Sequence, residues 1–273
     1  MTNLNRRHVL AALGAGAIDA RHAFAQASPQ AIGERLTQAL RDGRVSGLHA
    51  LLVSRGRTLV FEHYGRGEYQ SFAPEMLHDL RSVTKSILGL LYGLALAQGK
   101  VPAPERPLLE AFPEYADLAT DPRHQRLTIA HALTMSLGLE WNEDIPYQDP
   151  ANSEIQMERA PDRYRYIFSR PFVADPGTRW IYGAAATTLI GKLIQKGTGQ
   201  SLPDFARANL FDPVGIGATV WTNGLNGEPA ASSGLRMTPR DLARIGQLIL
   251  NRGQWEGRPV VPAENRMTCR SSG

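Results

Sequence analysis

A serine and a lysine three residues apart, Ser82 and Lys85, are the pair whose types and spacing are best suited to catalysis. They lie in the run R-S-V-T-K-S-I-L-G-L-L, which is typical of a helix that begins near the serine. Residues three apart on a helix are neighbours, so the hydroxyl and the amine can lie side by side. A serine is a weak nucleophile until a base takes its proton, and a desolvated lysine can be that base. The pair predicts a serine nucleophile activated by Lys85.

The same spacing also has a simpler interpretation. The pattern S-x-x-K leaves two positions free and occurs by chance, for example on an ordinary amphipathic helix that exposes its lysine to solvent. The residues that follow Lys85 are nearly all apolar or small. A lysine within such a run is costly to bury without a function, and this favours the catalytic interpretation.

Two further side chains with suitable chemistry lie later in the chain. Tyr182 precedes a predicted helix, in the segment P-G-T-R-W-I-Y-G. A phenol there can join a proton relay, while an aromatic residue at a helix start can equally be a packing residue. His131 lies on a short predicted helix with Thr128 as its N-cap. No acidic partner lies at a useful spacing from His131, so we expect a structural role for it.

The composition is that of an ordinary globular protein. The 273 residues are 42% apolar and 21% charged, and this length predicts one large domain or two closely associated subdomains. The net charge of +4 is scattered and forms no basic stripe with aromatic residues, which argues against nucleic-acid binding. Cys269 is the sole cysteine, so no intrachain disulfide can form. No run of eighteen apolar residues occurs, and we expect no membrane span in the mature chain.

Several common catalytic and cofactor-binding motifs are absent from the sequence. There is no H-E-x-x-H, no C-x-x-C and no cluster of histidines and carboxylates with metal-ligand spacing. The phosphate-binding loop G-x-x-x-x-G-K-[ST] is absent too, as is the nucleophile elbow G-x-S-x-G. We expect neither a metal nor a cofactor, and the missing elbow argues against an α/β-hydrolase with a Ser-His-Asp triad.

The N-terminus has the pattern of an export signal. Paired arginines, Arg6 and Arg7, precede a mildly apolar run and then Ala23-Phe24-Ala25, a small-x-small cleavage pattern. This order is typical of a twin-arginine signal peptide; the alternative is a disordered basic tail. We predict a signal peptide over residues 1–25, a single domain over residues 26–273, and a periplasmic or secreted location.

Local patterns predict the elements that would hold these residues. Residues 31–41 have the apolar spacing of an amphipathic helix that ends at Gly43. Residues 48–54 and 58–64 are typical of two strands in a tight hairpin. The helix that carries the serine and lysine is expected to run to about Gln98.

Further helices are predicted over residues 127–135, 157–172, 184–196, 205–210 and 238–251. Gly197 is expected to end the helix over 184–196. Thr238 is expected to cap the last helix, with Pro239 at its first position.

Four segments, in order, resemble the serine β-lactamase and penicillin-binding-protein superfamily. They are R-S-V-T-K-S-I-L-G-L, L-T-I-A-H-A-L-T-M-S-L-G-L-E-W-N-E-D, P-G-T-R-W-I-Y with the following L-I-G-K-L-I-Q-K-G-T-G, and S-G-L-R-M-T-P-R-D-L-A-R-I-G. The resemblance runs over about residues 36–262. It is strongest to the class C-like branch, which includes esterases, D-amino-acid peptidases and 6-aminohexanoate-dimer hydrolases.

This resemblance implies a fold and a site. The fold would be α/β and β-lactamase/transpeptidase-like, with an antiparallel sheet flanked by helices, a mainly helical subdomain, and the site between them. Ser82 would be the acylated nucleophile and Lys85 its base or proton shuttle. Tyr182 matches the tyrosine of the family's Y-x-N or Y-x-S motif and would be the proton relay. The amide of Ser82 would supply one oxyanion-hole donor.

The sequence departs from the family's pattern at three places. Ala184 stands at the third position of the Y-x-N or Y-x-S motif, so a polar side chain is missing there. Leu137 takes the place of a small residue in the family's S-G-L. The resemblance stops near Asn265, before the family's K-T-G or H-x-G motif and the last sheet strands. We therefore expect a C-terminally truncated member; the alternative is a natural tail with the site completed by another chain.

Two functional hypotheses follow. The first is a serine hydrolase, without a cofactor, that acts on a small-molecule ester or amide: small carboxyl esters, a linear amide oligomer or a D-Ala-type peptide, with β-lactams ranked lower. The second is a catalytically inactive remnant or pseudoenzyme that at most binds a ligand. The intact Ser82, Lys85 and Tyr182 favour the hydrolase, whereas Ala184 and the missing third motif favour the inactive chain.

Overall fold

The computed structural model describes residues 27–262, in two compact units whose boundary in the sequence falls between Met76 and Leu77. The predicted signal peptide of residues 1–25 lies outside the described residues and stays a prediction. Within the described range, no helix is both long and apolar enough to span a bilayer.

The first unit contains one helix and a two-stranded antiparallel sheet. Its elements are α1 (Pro29–Arg41), β1 (Ala50–Arg55) and β2 (Thr58–Tyr64). Helix α1 buries Ile32 and Leu36, which are four residues apart and so lie on one face. The strands are joined by a two-residue turn in which Gly56 has φ 57°, a conformation that glycine adopts without steric cost. The predicted helix and hairpin are both confirmed.

The second unit is mainly helical. Its α-helices are α2 (Val83–Ala97), α3 (Arg123–Arg126), α4 (Ile129–Leu133), α5 (Ser153–Arg159), α6 (Arg163–Phe168), α7 (Ala184–Thr198), α8 (Leu202–Ala206), α9 (Asp212–Val214) and α10 (Pro239–Leu250). Two 3₁₀ helices span Leu108–Ala111 and Pro113–Leu118, and a π-helical turn spans Arg207–Phe211.

Two small antiparallel sheets also belong to the second unit. Their strands are β3 (His78–Asp79), β4 (Val220–Trp221) and β5 (Leu235–Met237), in the order β3-β5-β4, and the separate pair β6 (Gln254–Trp255) and β7 (Arg258–Pro259). None of these five short strands was predicted from the sequence. Strands of two or three residues are too short to show an alternating pattern in the sequence.

Helices α2 and α7 pack against each other at the centre of the core of the second unit. Helix α2 is apolar on almost every side, as expected of a buried helix, and Ile87 and Leu91 are fully buried. On α7, Leu189 and Ile194 are fully buried as well. Burying a side chain of this kind contributes about 1.5–3 kcal/mol. The packing of this helix pair therefore stabilises the position of the first turn of α2.

Two predicted helix boundaries are wrong, for identifiable reasons. Residues 157–172 form no single helix, because Pro161 forces the preceding Ala160 into an extended conformation with ψ 139°. Helix α7 does not end at Gly197; the left-handed cap is Gly199, with φ 69°. A Cβ at Gly197 would lie 2.0 Å from the carbonyl oxygen of Lys100, so Gly197 is required for close packing.

Candidate active site

The three-stranded sheet β3-β5-β4 positions the segment that leads into Ser82. The N–H of Leu80, just after β3, donates to the carbonyl of Leu235 on β5 at 3.0 Å. Arg81 then has φ 49°, which turns the chain sharply into α2. Ser82 is the N-cap residue of α2, yet its hydroxyl makes no capping hydrogen bond. The side chain is exposed and remains available for chemistry.

Lys85 lies one turn further along α2, beside the serine. Its Nζ is 3.3 Å from Ser82 Oγ, and it donates a second hydrogen bond to the carbonyl oxygen of Ser232 at 3.1 Å. The structure thus brings the two residues together as their spacing predicts. Lys85 is half-buried, so the desolvation expected from the apolar run is partial. The carbonyl of Ser232 restricts the orientation of the amine.

Tyr182 completes the set that the sequence singled out. The centre of its ring lies 5.2 Å from Lys85 Nζ, a distance at which an ammonium group interacts favourably with an aromatic face. The ring of Trp180 lies 5.9 Å from that of Tyr182. The two aromatic residues are 67% and 36% exposed, so they form an apolar surface open to solvent next to the serine–lysine pair.

The turn around Ser232 is held by main-chain and indole hydrogen bonds. The N–H of Gly234 donates to the carbonyl of Ala230 at 2.8 Å, and Trp221 Nε1 donates to the same carbonyl at 3.0 Å. Ala231 is buried. Sequence reasoning missed this part of the site because a main-chain acceptor leaves no residue-type signal.

His131 has the structural role that the sequence suggested. Thr128 and His131 form a capping box, in which the N–H of Thr128 donates to His131 Nδ1 at 3.2 Å. Burial lowers the pKa of the imidazole. A Cβ at Gly177 would lie 2.9 Å from His131 Nε2, so the histidine also packs against the loop that leads to Tyr182.

Two carboxylates, Glu143 and Glu154, lie within electrostatic range of each other. Burial and repulsion from Glu143 raise the pKa of the Glu154 carboxyl, against a hydrogen bond with Tyr147 and the positive charge of Lys85. Neither acid was singled out from the sequence, although Glu143 belongs to the W-N-E-D run of the second resembling segment. Across residues 27–262, the structure shows no cluster of three or more histidine, cysteine or acidic side chains suited to hold a metal.

Comparison with known proteins assigns the family. Residues 32–268 match the family model described as beta-lactamase. The chain belongs to the beta-lactamase family. It is 31% identical over 227 residues to the 6-aminohexanoate-dimer hydrolase of Paenarthrobacter ureafaciens, an alignment that covers 78% of this chain and 54% of that protein. The chain spans about half the length of the curated relatives it matches.

Solved structures agree on the fold of this beta-lactamase family member. A putative 6-aminohexanoate-dimer hydrolase from Bacillus anthracis superposes with a TM-score of 0.69 at 22% identity, covering 83% of this chain and 60% of that one. A penicillin-binding-protein homologue from Pyrococcus abyssi superposes with a TM-score of 0.64 at 19% identity, covering 85% and 58%. The predicted β-lactamase/transpeptidase-like α/β fold is confirmed.

Proposed function

We propose that this chain is a serine hydrolase that cleaves a small-molecule ester or amide through an acyl-enzyme on Ser82. The observation that carries the proposal is the 3.3 Å distance between Lys85 Nζ and Ser82 Oγ, at a hydroxyl that makes no capping bond. Membership of the beta-lactamase family supports hydrolysis as the reaction class. A second support is the Tyr182 ring, 5.2 Å from the same amine.

In the proposed acylation step, Lys85 acts as the general base and its amine accepts the hydroxyl proton of Ser82 as Oγ attacks the substrate carbonyl. The proton then passes through the Tyr182 phenol to the leaving alcohol or amine, and the carbonyl re-forms as the acyl-enzyme. In deacylation a water gives a proton to the same relay and attacks the acyl carbon. The bond between the acyl carbon and Ser82 Oγ then breaks, the relay returns the proton to Oγ, and the acid is released. The Ser232 carbonyl accepts a hydrogen bond from Lys85 Nζ, which restricts the orientation of the amine beside Ser82 Oγ.

The negative charge that develops on the substrate oxygen requires hydrogen-bond donors. Ser82 is at the N-terminus of α2, where the helix dipole favours negative charge. We assign its main-chain N–H as one oxyanion donor, because it lies at this helix N-terminus beside the attacking Oγ. Preorganised donors of this kind contribute a large part of the rate enhancement in many enzymes.

The proposed substrates are linear amides and small carboxyl esters, then D-Ala-type peptides, with β-lactams ranked lower. The name of the Paenarthrobacter relative, a 6-aminohexanoate-dimer hydrolase, supports a linear amide. The exposed aromatic surface of Trp180 and Tyr182 supports a substrate with an apolar portion.

The test is covalent labelling. The protein is incubated with a fluorophosphonate and, in parallel, with a penicillin, and the adduct is located by intact-mass and peptide mass spectrometry. We expect a fluorophosphonate adduct on Ser82 that is lost in Ser82→Ala and kept in Ser86→Ala, a matched control one turn along α2. Lys85→Ala should slow labelling by about 10²–10⁴-fold, the usual contribution of a general base.

The alternative function is ligand binding without catalysis, which the missing polar side chain at Ala184 favours. A protein that is folded by circular dichroism and yet gives no adduct on Ser82 would support this alternative and contradict the hydrolase proposal. An adduct that survives Ser82→Ala would contradict the assignment of the nucleophile.

A further inference from the structure

One carboxylate connects the segment after α4 to the start of α7. Glu143 Oε1 accepts a hydrogen bond from Trp141 Nε1 at 2.6 Å. The same oxygen accepts a short hydrogen bond from the main-chain N–H of Ala184, 41 residues away in the sequence. Gly183, the N-cap residue of α7, has no side chain with which to cap the helix. Glu143 therefore satisfies an N–H group of the first turn of α7 that would ordinarily need a local cap.

The indole of Trp141 and the main chain of Gly183 are in direct contact. A Cβ at Gly183 would lie 2.4 Å from Trp141 Cδ1 and 2.6 Å from its Nε1. No side chain fits between the two groups, so the residue after Tyr182 is pressed against the indole that Glu143 holds. The main chain is therefore held at two adjacent residues: the indole of Trp141 packs against Gly183, and the carboxylate of Glu143 binds the N–H of Ala184.

Tyr182 lies directly before this main-chain contact. Tyr182 is 36% exposed and its aromatic neighbour Trp180 is 67% exposed, so burial holds the tyrosine ring only in part. The main chain is also anchored on each side of the tyrosine. The N–H of Ile181 donates to the carbonyl of Met135 at 2.9 Å, and the N–H of Ala184 donates to Glu143.

We propose that Glu143 is a positioning residue for Tyr182: its carboxylate, held by the indole of Trp141, fixes the start of α7 and thereby the phenol against Lys85. The inference rests on the proposed function, in which Tyr182 relays protons. A carboxylate at a helix N-terminus is further favoured by the helix dipole.

The test is a double-mutant cycle on the rate at which fluorophosphonate labels Ser82. Glu143→Ala should slow labelling by about tenfold to a hundredfold, since small displacements of a catalytic group have effects of this size. Tyr182→Phe should slow it at least as much. If Glu143 acts through Tyr182, adding Glu143→Ala to Tyr182→Phe should have less than a threefold further effect, on the order of measurement error for such cycles. A residue that only stabilises the fold would give multiplicative losses instead.

Two further variants separate positioning from folding. Glu143→Gln keeps an oxygen that can accept both hydrogen bonds, so it should restore most of the rate. Trp141→Phe keeps an aromatic ring but removes the indole N–H and the pyrrole atoms that contact Gly183, so it should reproduce the direction of Glu143→Ala even if that variant folds poorly. Asp144→Ala, a change at the neighbouring exposed carboxylate, is the matched control and should label at the wild-type rate.

The outcomes distinguish this inference from the proposed function. If wild-type protein gives no adduct, the proposed function fails. If wild-type protein is labelled on Ser82 and Glu143→Ala is labelled equally fast, or if its effect multiplies with that of Tyr182→Phe, the proposed function stands and the positioning role of Glu143 is overturned.

Discussion

At the scale of single residues, the conformation of Arg81 determines how Ser82, the proposed nucleophile, is exposed at the start of α2. Its φ of 49° lies in the left-handed region, which costs a residue with a side chain about 1–2 kcal/mol. Two main-chain hydrogen bonds hold this conformation. The N–H of Leu80 donates to the carbonyl of Leu235, and the N–H of Thr84 donates to the carbonyl of Arg81. The sharp turn places Ser82 at the exposed start of α2.

Replacing Arg81 with glycine should therefore stabilise the protein. Glycine adopts positive φ freely, although its greater freedom in the unfolded chain offsets about 0.5–1 kcal/mol of the gain. We expect Arg81→Gly to raise stability by up to about 1 kcal/mol, or about 2–4 °C in Tm. Arg81→Val should lower Tm, because β-branched residues tolerate this region least. Thermal denaturation followed by circular dichroism measures both, and a valine variant as stable as the glycine variant would refute the strain argument.

At the scale of elements, the packing of the Ser232 turn on α7 determines the position of the carbonyl that accepts the hydrogen bond from Lys85. A Cβ at Gly191 on α7 would lie 2.6 Å from the Cβ of Ala231, so the turn packs directly on the helix. The closeness of this contact brings the carbonyl of Ser232 within 3.1 Å of Lys85 Nζ. The glycine thus influences the site without touching it.

Gly191→Ala should reverse the usual effect of that substitution. Within a helix, glycine to alanine normally stabilises by about 0.5–1 kcal/mol. Here the new methyl group must displace the turn, so we expect a loss of about 1–3 kcal/mol, typical of overpacking, and slower labelling of Ser82. Gly246→Ala on α10, where a Cβ would meet nothing within 4 Å, is the control and should stabilise. Chemical denaturation measures the free energy of unfolding of both variants. A Gly191→Ala variant as stable as Gly246→Ala would show that the Ser232 turn can move away from α7 at no cost, and would contradict the argument.

At the scale of the whole second unit, a polar network joins α5, α6 and α7 to the loop that precedes Ser232. Arg163, with a side chain only 2% exposed, lies at its centre. The hydrogen bonds of the network run from Arg163 to Glu158 (3.1 Å) and Asn226 (2.5 Å), from Lys192 to Glu228 (2.5 Å), and from Tyr164 to Glu228. Breaking a buried network leaves its charges unpaired, which is costly.

The network should make stability depend on pH through Glu228. Burial would raise the pKa of this carboxyl, but the hydrogen bonds from Lys192 and Tyr164 outweigh burial and leave the pKa below its ordinary 4.5. A lowered folded-state pKa gives stability that is fully present above pH 4.5 and is lost as the pH falls through the folded-state value. We expect Glu228→Gln to be less stable than wild type at pH 7 and the difference to shrink in acid.

Urea denaturation between pH 7 and pH 3 measures this difference. Glu110→Gln is the control, because its ion pair with Arg106 is 54% exposed on the glutamate side and surface pairs contribute little. A difference between wild type and Glu228→Gln that stays constant with pH would contradict the assigned role of the charge.

Much of the local structure was readable from the sequence alone. The serine–lysine pair, the hairpin turn at Gly56, and the caps at Thr128 and Thr238 all depend on residues within about four positions of one another. Helical periodicity, glycine conformation and side-chain capping are short-range effects, so residue types report them directly.

The assembly of the site was decided by the tertiary structure. The carbonyl of Ser232 reaches Lys85 across 147 residues, and Glu143 reaches Ala184 across 41. In both cases one partner is a main-chain group, which every residue type carries, so no sequence pattern distinguishes it. Close packing at Gly183 and Gly191 set these distances. The sequence alone thus determined which groups can react, whereas packing between distant segments decided which of them meet.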